Sequence, residues 1–244
     1  MYEIEIKSLL GSKERAEEAK KKLAEKDKSL TKKGEHKQLN HYFNVPSQAA
    51  QGIAAATNAA HANGGKILSK VCEIIGPLVA EDKKEALKKI CEEGKKVSIR
   101  TRDADGKVYF VMKASVGDDT SANGVSRVEF QEEVFKTLDE LDKILLDAGL
   151  TYQAKWSRER EEYESKTHNM QITIDKNAGY GYLAEFEKSG KEGDDVKMIE
   201  KEIRDFMGEI GVEELAQDRL ERMFEFYNEH WAEYYGTDKV FTIE

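Results

Sequence analysis

The sequence predicts an α+β protein whose core is a mainly antiparallel sheet. Several segments alternate charged and apolar residues, which is the period-two pattern of strands that are buried on one face. Asp105-Gly106 joins two of these segments, and this dipeptide is favoured in two-residue hairpin turns. Strands that follow one another through such turns pair antiparallel, so the helical segments are expected at the periphery of the sheet.

The N-terminal part of the chain predicts a strand, a helix and a second strand. The strand at 1–7 places three charged residues on one face, namely Glu3, Glu5 and Lys7. A helix at 12–28 begins at Ser12, whose hydroxyl is a suitable N-cap, and its apolar residues recur near one face. A short strand at 38–44 ends before Pro46, because proline cannot donate a hydrogen bond to a neighbouring strand.

Residues 47–95 differ from the segments on either side, because they are helical in pattern and lie between two strands. Residues 47–62 are rich in Ala and Gln, and the glycines within 63–65 predict a break. Two more helices are expected at 66–79 and 81–93. The sequence leaves open whether this helical insertion is a lid, an interaction surface or an inert elaboration.

Cys72 and Cys91 both lie in the helical insertion. Two cysteines do not make a disulfide framework, and neither lies near a His or Cys at metal-ligand spacing. Both are therefore predicted to be small apolar packing residues. A cytoplasmic, reduced protein is the default expectation.

The rest of the chain predicts further strands and helices. The strands are expected at 96–103, 107–114, 126–134, 152–163, 170–176 and 182–188, and the helices at 138–148, 195–210 and 213–231. Gly149 ends the first of these helices, and a turn at 179–181 precedes the last strand. No structure is assigned to 237–244.

Composition argues against two classes of function. The net charge of −9 disfavours non-specific nucleic-acid binding, since a protein with a broad nucleic-acid footprint is normally basic. No apolar run approaches membrane-spanning length, and charge from the third residue onward disfavours a signal peptide, so no membrane association is expected. A chain of 244 residues can bury a real core as one enlarged domain or two small ones.

Like charges recur two positions apart on several predicted strands. The arginine pairs are Arg100/Arg102 and Arg158/Arg160, and the acidic pairs are Glu3/Glu5 and Glu185/Glu187. If the sheet closes, this face becomes a lumen, where so many cations are costly unless an anion and counter-charges accompany them. Phosphate oxygens match arginine and lysine donors, and paired carboxylates suit a hard divalent cation such as Mg²⁺ or Mn²⁺.

These residues resemble the motifs of the CYTH superfamily, also called triphosphate tunnel metalloenzymes. The sequence has the family's ExExK signature at Glu3-Ile4-Glu5-Ile6-Lys7, followed in order by Tyr42-Phe43, Arg100-x-Arg102, Lys113, Arg127-x-Glu129, Arg158-x-Arg160, Asp175 and Glu185-x-Glu187. The family includes thiamine triphosphatases, inorganic tripolyphosphatases, class IV adenylate cyclases and fungal-type RNA triphosphatases. The resemblance covers most of the chain except 45–95, where this sequence has a longer connection than we expect.

The resemblance implies a closed antiparallel β-barrel, the triphosphate tunnel, with peripheral helices. The chain is then a single CYTH-like domain over 1–244, with a helical insertion at about 47–95 and C-terminal helices at about 195–231. Phosphate-binding roles are implied for Lys7, Arg100, Arg102, Lys113, Arg127, Arg158 and Arg160, with Asp175 holding a basic residue in place. Ligand roles for Mg²⁺ or Mn²⁺ are implied for Glu3, Glu5 and Glu187, while Glu129 and Glu185 either bind the metal or orient its ligands. Pairing of Arg127 and Glu129 only with each other is left open.

The resemblance implies a divalent-metal-dependent triphosphate hydrolase. It would release phosphate from inorganic tripolyphosphate or from an organic triphosphate such as thiamine triphosphate. The attacking water would be oriented by Lys7 and Tyr42, or by a carboxylate or a second metal. Two alternatives stay open: a class IV-type adenylate cyclase that converts ATP to cyclic AMP and pyrophosphate, and a non-catalytic polyphosphate-binding module. The expected partner is a small molecule that contains a triphosphate, and a homodimer is left open.

Overall fold

The chain divides into two compact units. The computed structural model describes residues 2–45, 58–115, 127–191 and 193–243. Of these residues, 2–38, 156–191 and 193–243 belong to the first unit, and 39–45, 58–115 and 127–155 belong to the second. Within this described part of the chain, none of the helices combines the length and the apolarity needed to cross a membrane.

The secondary structure agrees with the α+β class that the sequence predicts. The strands are β1 (Tyr2–Gly11), β2 (Thr31–Asn44), β3 (Lys95–Ala104), β4 (Lys107–Ser115), β5 (Arg127–Glu133), β6 (Thr151–Ser165), β7 (Met170–Asn177) and β8 (Gly181–Gly190). The helices are α1 (Lys13–Lys26), α2 (Asn58–Ile75), α3 (Lys84–Glu93), α4 (Leu138–Asp147), α5 (Val196–Glu209) and α6 (Gln217–Tyr234). Short 3₁₀ turns at Gly76–Leu78 and Glu81–Lys83 connect α2 to α3.

The strands form one hydrogen-bonded series in the order β1-β8-β7-β6-β2-β3-β4-β5. Antiparallel pairing joins β1 to β8, β8 to β7, β7 to β6, β3 to β4 and β4 to β5. Among the described residues the series has two ends, β1 and β5. The eight-stranded antiparallel sheet is therefore confirmed, whereas its closure into a barrel stays a prediction.

In the first unit, one face of the sheet is apolar and packs against helices. Ile4 and Ile6 of β1 and Phe186 of β8 are buried in one cluster with residues of α1 and α5. The helix α1 begins where the sequence predicts, because the Ser12 hydroxyl accepts a hydrogen bond from the backbone N–H of Arg15. Since side chains alternate along a strand, the charged residues of these strands lie on the opposite face.

In the second unit, the helical insertion forms part of the core. Val71 and Ile75 of α2 and Ile90 of α3 are buried in one cluster with Phe110 and Met112 of β4. The helices α2 and α3 therefore supply apolar side chains that bury one face of this part of the sheet.

Two local predictions were tested by backbone geometry, with opposite outcomes. Asp105 and Gly106 have φ angles of 53° and 84°, so the predicted hairpin turn between β3 and β4 is confirmed. The predicted helix break at 63–65 is wrong, because α2 runs through these residues. Tertiary packing of the apolar face of α2 outweighs the low helix propensity of two glycines. Most of the predicted helix at 47–62 lies outside the described residues.

The prediction of reduced cysteines is wrong. Cys72 of α2 and Cys91 of α3 form a disulfide, with their Cα atoms 6.5 Å apart. The packing of α2 on α3 brings together two residues that are 19 positions apart in sequence. Two isolated cysteines give no sequence signal for such a contact, because the pairing depends on how the two helices pack.

Candidate functional site

The first charged face belongs to the first unit and is built on β1, β8, β7 and β6. Strand register places Lys7 directly opposite Glu185, and Glu5 directly opposite Glu187. On the next strands, Glu185 pairs with Thr173, and Asp175 pairs with Arg160. Because directly paired residues of antiparallel strands share a face, the period-two charges of four strands lie on one surface.

Glu185 lies between two cations of this face. Its carboxylate accepts hydrogen bonds from Lys7 Nζ at 2.7 Å and from Arg160 Nη2 at 2.6 Å. Burial alone would raise the pKa of Glu185, but the nearby charges of Lys7 and the arginines lower it well below its usual range. Glu185 is therefore an ionised counter-charge for Lys7 and Arg160.

Asp175 holds the two arginines of β6. Its side chain is 1% exposed, and it accepts two hydrogen bonds from Arg160, from Nε at 2.7 Å and from Nη2 at 2.6 Å. A third hydrogen bond comes from Arg158 Nη1 at 3.2 Å. Arg158 Nε also donates to Gln38 Oε1 at 2.8 Å. Both guanidinium groups are thus held in fixed positions by protein oxygens.

Glu5 of β1 and Glu187 of β8 lie at directly opposed positions of the first charged face. Two carboxylates at directly opposed strand positions repel one another, and a hard divalent cation would offset that repulsion. Glu5 also forms an ion pair with Lys7. The backbone of Glu3 lies opposite Ser189, but its side chain lies outside the described residues. Among the side chains that are described, no three His, Cys, Asp or Glu residues are grouped as a metal site.

The second charged face belongs to the second unit and is built on β2, β3, β4 and β5. Lys113 of β4 lies directly opposite Glu129 of β5, and their side chains form an ion pair of 2.6 Å. Arg102 of β3 donates to Asn40 Oδ1 at 2.9 Å and to Gln131 Oε1 at 2.8 Å. The backbone of Arg127 pairs with Ser115, and its side chain lies outside the described residues.

Arg100 is a largely enclosed cation of the second face, with 12% of its side chain exposed. Its Nη1 donates to the Tyr42 hydroxyl at 2.7 Å, and its Nη2 donates to Glu129 Oε1 at 3.4 Å. The guanidinium also lies 5.5 Å from the centre of the Tyr42 ring. Its Nε–H is buried without a hydrogen-bond partner among the described residues, and such a donor is costly unless a ligand accepts from it.

Sequence reasoning missed the neutral side chains that hold the arginines. Gln38, Asn40 and Gln131 each accept from an arginine of a charged face. The same period-two pattern could have found two of them, because Gln38 and Asn40 precede Tyr42 at alternate positions of β2. A search restricted to charged residues passes over amide oxygens, although these accept hydrogen bonds as carboxylates do.

Comparison with known proteins rests on structure, because no family model and no curated protein sequence matches this chain. The chain is similar to the PH1819 protein from Pyrococcus horikoshii OT3, with a TM-score of 0.56 and 18% identity over 92% of this chain and 99% of the other. It is also similar to a conserved hypothetical protein from Pyrococcus furiosus, with a TM-score of 0.54 and 14% identity over 86% and 91% of the two chains.

A third similar structure is a candidate adenylate cyclase from Vibrio parahaemolyticus. The TM-score is 0.55 at 11% identity, over 92% of this chain and 98% of the other. The chain has the fold of these proteins. At these identities the likeness shows the fold alone, and the resemblance to the CYTH superfamily rests on the motifs of the sequence.

Proposed function

We propose that this chain is a divalent-metal-dependent triphosphate hydrolase. The observation that carries the proposal is the group of cations on the second charged face, where Arg100 and Lys113 share the carboxylate of Glu129 and Arg102 is held by neutral amide oxygens. Partly buried cations grouped on one face favour binding of an anion with several charges. The chain of phosphates in a triphosphate matches them, because guanidinium and ammonium donors pair with phosphate oxygens.

The proposal assigns each charged face a role in phosphoryl transfer. Arg158, Arg160, Arg100, Arg102 and Lys113 would bind nonbridging oxygens and stabilise the charge that develops on them. Glu5 and Glu187, together with Glu3, are the residues that would hold Mg²⁺ or Mn²⁺, which supplies further charge neutralisation when bound. The closed barrel that the resemblance implies is part of this proposal.

Lys7 and Tyr42 are the proposed water-orienting residues. The ammonium of Lys7 is held by Glu185, and the hydroxyl of Tyr42 is held by Arg100, so both polar groups have fixed positions. Water attacks the terminal phosphorus in line with the anhydride oxygen, and the P–O bond of the anhydride breaks. The products are inorganic phosphate, the shortened phosphate chain and the proton that the attacking water loses to solvent. No covalent intermediate with the protein is required.

The proposal is tested by phosphate release from inorganic tripolyphosphate, thiamine triphosphate and ATP, each with Mg²⁺, Mn²⁺ or EDTA. We expect metal-dependent release from at least one substrate, and a loss of about a hundredfold in kcat/KM for Lys113→Ala. Lys107→Ala is the matched control, because Lys107 lies on the same strand with 64% of its side chain exposed. Absence of release from all three substrates, or equal losses in both variants, contradicts the proposal.

Adenylate cyclase activity is the second candidate function, and the structural likeness to the candidate cyclase favours it. In that reaction the ribose 3′-hydroxyl of ATP attacks the α-phosphorus and pyrophosphate leaves. Product analysis after incubation with ATP decides between cyclic AMP with pyrophosphate, and ADP with phosphate. A binding module without catalysis would instead be stabilised by tripolyphosphate and leave it intact.

A further inference from the structure

A buried carboxylate in the second unit contacts side chains of three strands, β2, β3 and β6. Asp142 of α4 is 2% exposed. Thr101 Oγ1 donates to Asp142 Oδ1 at 2.6 Å, and the Tyr152 hydroxyl donates to Oδ2 at 2.6 Å. His41 Nδ1 also lies 2.6 Å from Oδ2, and an ionised carboxylate there requires the proton on Nδ1.

The charge of Asp142 is maintained by these partners. Burial alone would raise its pKa, but the hydrogen bonds from His41, Thr101 and Tyr152 outweigh burial and lower the pKa. Lys155 Nζ lies 4.0 Å from the same carboxylate and 4.1 Å from the centre of the Tyr152 ring. The buried charge thus has hydrogen bonds and a cation nearby, which are the conditions under which such a charge is tolerated.

The partners of Asp142 are sequence neighbours of the second charged face. His41 precedes Tyr42 in β2, and Thr101 lies between Arg100 and Arg102 in β3. Because neighbouring residues of a strand point to opposite faces, Asp142 binds these two strands from the helix-covered face. On the other face, the 2.7 Å hydrogen bond from Arg100 to Tyr42 joins the same two strands.

We propose that Asp142 is a positioning residue that fixes the alignment of β2 and β3, and with it the contact between Arg100 and Tyr42. This inference rests on the proposed function, in which Arg100 and Tyr42 act on the triphosphate. A catalytic dyad of His41 and Asp142 is disfavoured, because His41 is 3% exposed and lies on the face opposite the charged residues. Asp142 acts through its neighbours and does not touch the substrate.

The test compares Asp142→Asn with Asp147→Asn, the same change at the exposed end of the same helix. Binding of inorganic tripolyphosphate is measured by calorimetry, at a temperature where circular dichroism shows each variant to be folded. We expect the dissociation constant to rise at least tenfold for Asp142→Asn and to stay within twofold for Asp147→Asn. A folded Asp142→Asn variant that binds like the wild type overturns the inference.

A double-mutant cycle separates positioning from general stability. Tyr42→Phe should weaken binding in the wild type and have little further effect in the Asp142→Asn background, because both changes act on the same contact. Additive effects overturn the inference. If Asp142→Asn does not fold, Thr101→Val is compared with Thr101→Ser. The valine variant lacks the hydroxyl that donates to Asp142 and should bind tripolyphosphate more weakly. The serine variant keeps a hydroxyl and should bind like the wild type. Equal binding by these two variants overturns the inference.

A ligand-free crystal structure of Thr101→Val distinguishes this inference from the proposed function. The expected result is a distance of more than 3.5 Å between Arg100 Nη1 and the Tyr42 hydroxyl, against 2.7 Å in the wild type. An unchanged contact overturns the positioning role. Wild-type protein that does not bind tripolyphosphate instead overturns the proposed function, and the structural measurement still decides whether Asp142 positions the two strands.

Discussion

Arg160 and Asp175 form a bidentate pair in which both carboxylate oxygens lie within 2.7 Å of guanidinium nitrogens. The two residues are directly opposed on β6 and β7, so the register of the sheet sets the geometry of the pair. Asp175 also accepts from Arg158, which makes one nearly inaccessible carboxylate the fixed point for two cations of the first charged face. The cations of this face therefore depend on a residue that solvent hardly reaches.

Replacing Asp175 should destabilise the protein. Asp175→Asn keeps the shape of the side chain but removes its charge. The partly buried positive charges of Arg158 and Arg160 then have less negative charge near them. We expect the free energy of unfolding in urea to fall by about 3 kcal/mol. Glu159→Gln on β6 is the control, because its exposed ion pair should change stability by less than about 0.5 kcal/mol. Similar stabilities of the two variants would show that Asp175 does not compensate the arginines.

Acid should remove the stabilisation that Glu161, a second carboxylate of the first unit, contributes to the folded state. Burial tends to raise its pKa, but hydrogen bonds from Lys20 and Lys32 outweigh burial and lower the pKa to about 2. In the unfolded chain the pKa of a glutamate is about 4.3. Because the folded pKa is the lower one, the stabilisation is complete above the unfolded value and is lost as pH falls toward 2.

The pH dependence is measured as the difference in unfolding free energy between wild type and Glu161→Gln. This difference should be largest near neutral pH and should shrink as pH falls below about 4.3. Glu229→Gln, an exposed change on α6, is the control and should show no such trend. A difference for Glu161→Gln that is constant down to low pH would refute the assignment.

The disulfide should stabilise the second unit. Cys72 and Cys91 enclose a loop with a sequence separation of 19, and closing a loop of this length contributes about 3 kcal/mol. Dithiothreitol should therefore lower the melting temperature of the wild type by several degrees. The Cys72→Ser/Cys91→Ser variant should melt at the lower temperature with or without reductant. Two free thiols in unreduced, denatured wild type would contradict the disulfide.

The alternation of charged and apolar residues was enough to predict most of the strands and which charged residues of a strand share a face, but it passed over the amide side chains that hold the arginines. Arg100 and Arg102, like Arg158 and Arg160, stand at alternate positions, and residues at alternate positions of a regular strand share a face of that strand. The role of Asp142 could not be predicted in the same way, since an aspartate in an amphipathic helix usually lies in solvent. Its burial follows from the packing of α4 on β3, which local periodicity does not encode.

A divalent cation should stabilise the wild type through the opposed carboxylates of Glu5 and Glu187. We expect Mg²⁺ to raise the melting temperature of the wild type relative to EDTA at equal ionic strength, because the ion binds the folded state. Glu187→Gln should lose this increase, since it removes one of two directly opposed charges. Glu133→Gln, an exposed change in β5, should retain it. Equal increases in both variants would place the metal elsewhere.

Arg100 should be needed for its shape as well as its charge. Its guanidinium donates to Tyr42 and Glu129 at once, and its buried Nε–H has no partner among the described residues. Lysine keeps the charge but cannot supply three donors in a fixed plane. Arg100→Lys should therefore weaken tripolyphosphate binding by about tenfold to a hundredfold, equivalent to about 1.4 to 2.8 kcal/mol.

Salt dependence separates shape from charge in this measurement. Because Arg100→Lys leaves the net charge of the face unchanged, raising the ionic strength should weaken binding equally in the variant and the wild type. Arg222→Lys on α6, where an exposed ion pair with Asp218 is kept, should bind like the wild type. If Arg100→Lys also binds like the wild type, the anion interacts with this face as a diffuse charge, and the fixed hydrogen bonds around Arg100 serve only the fold.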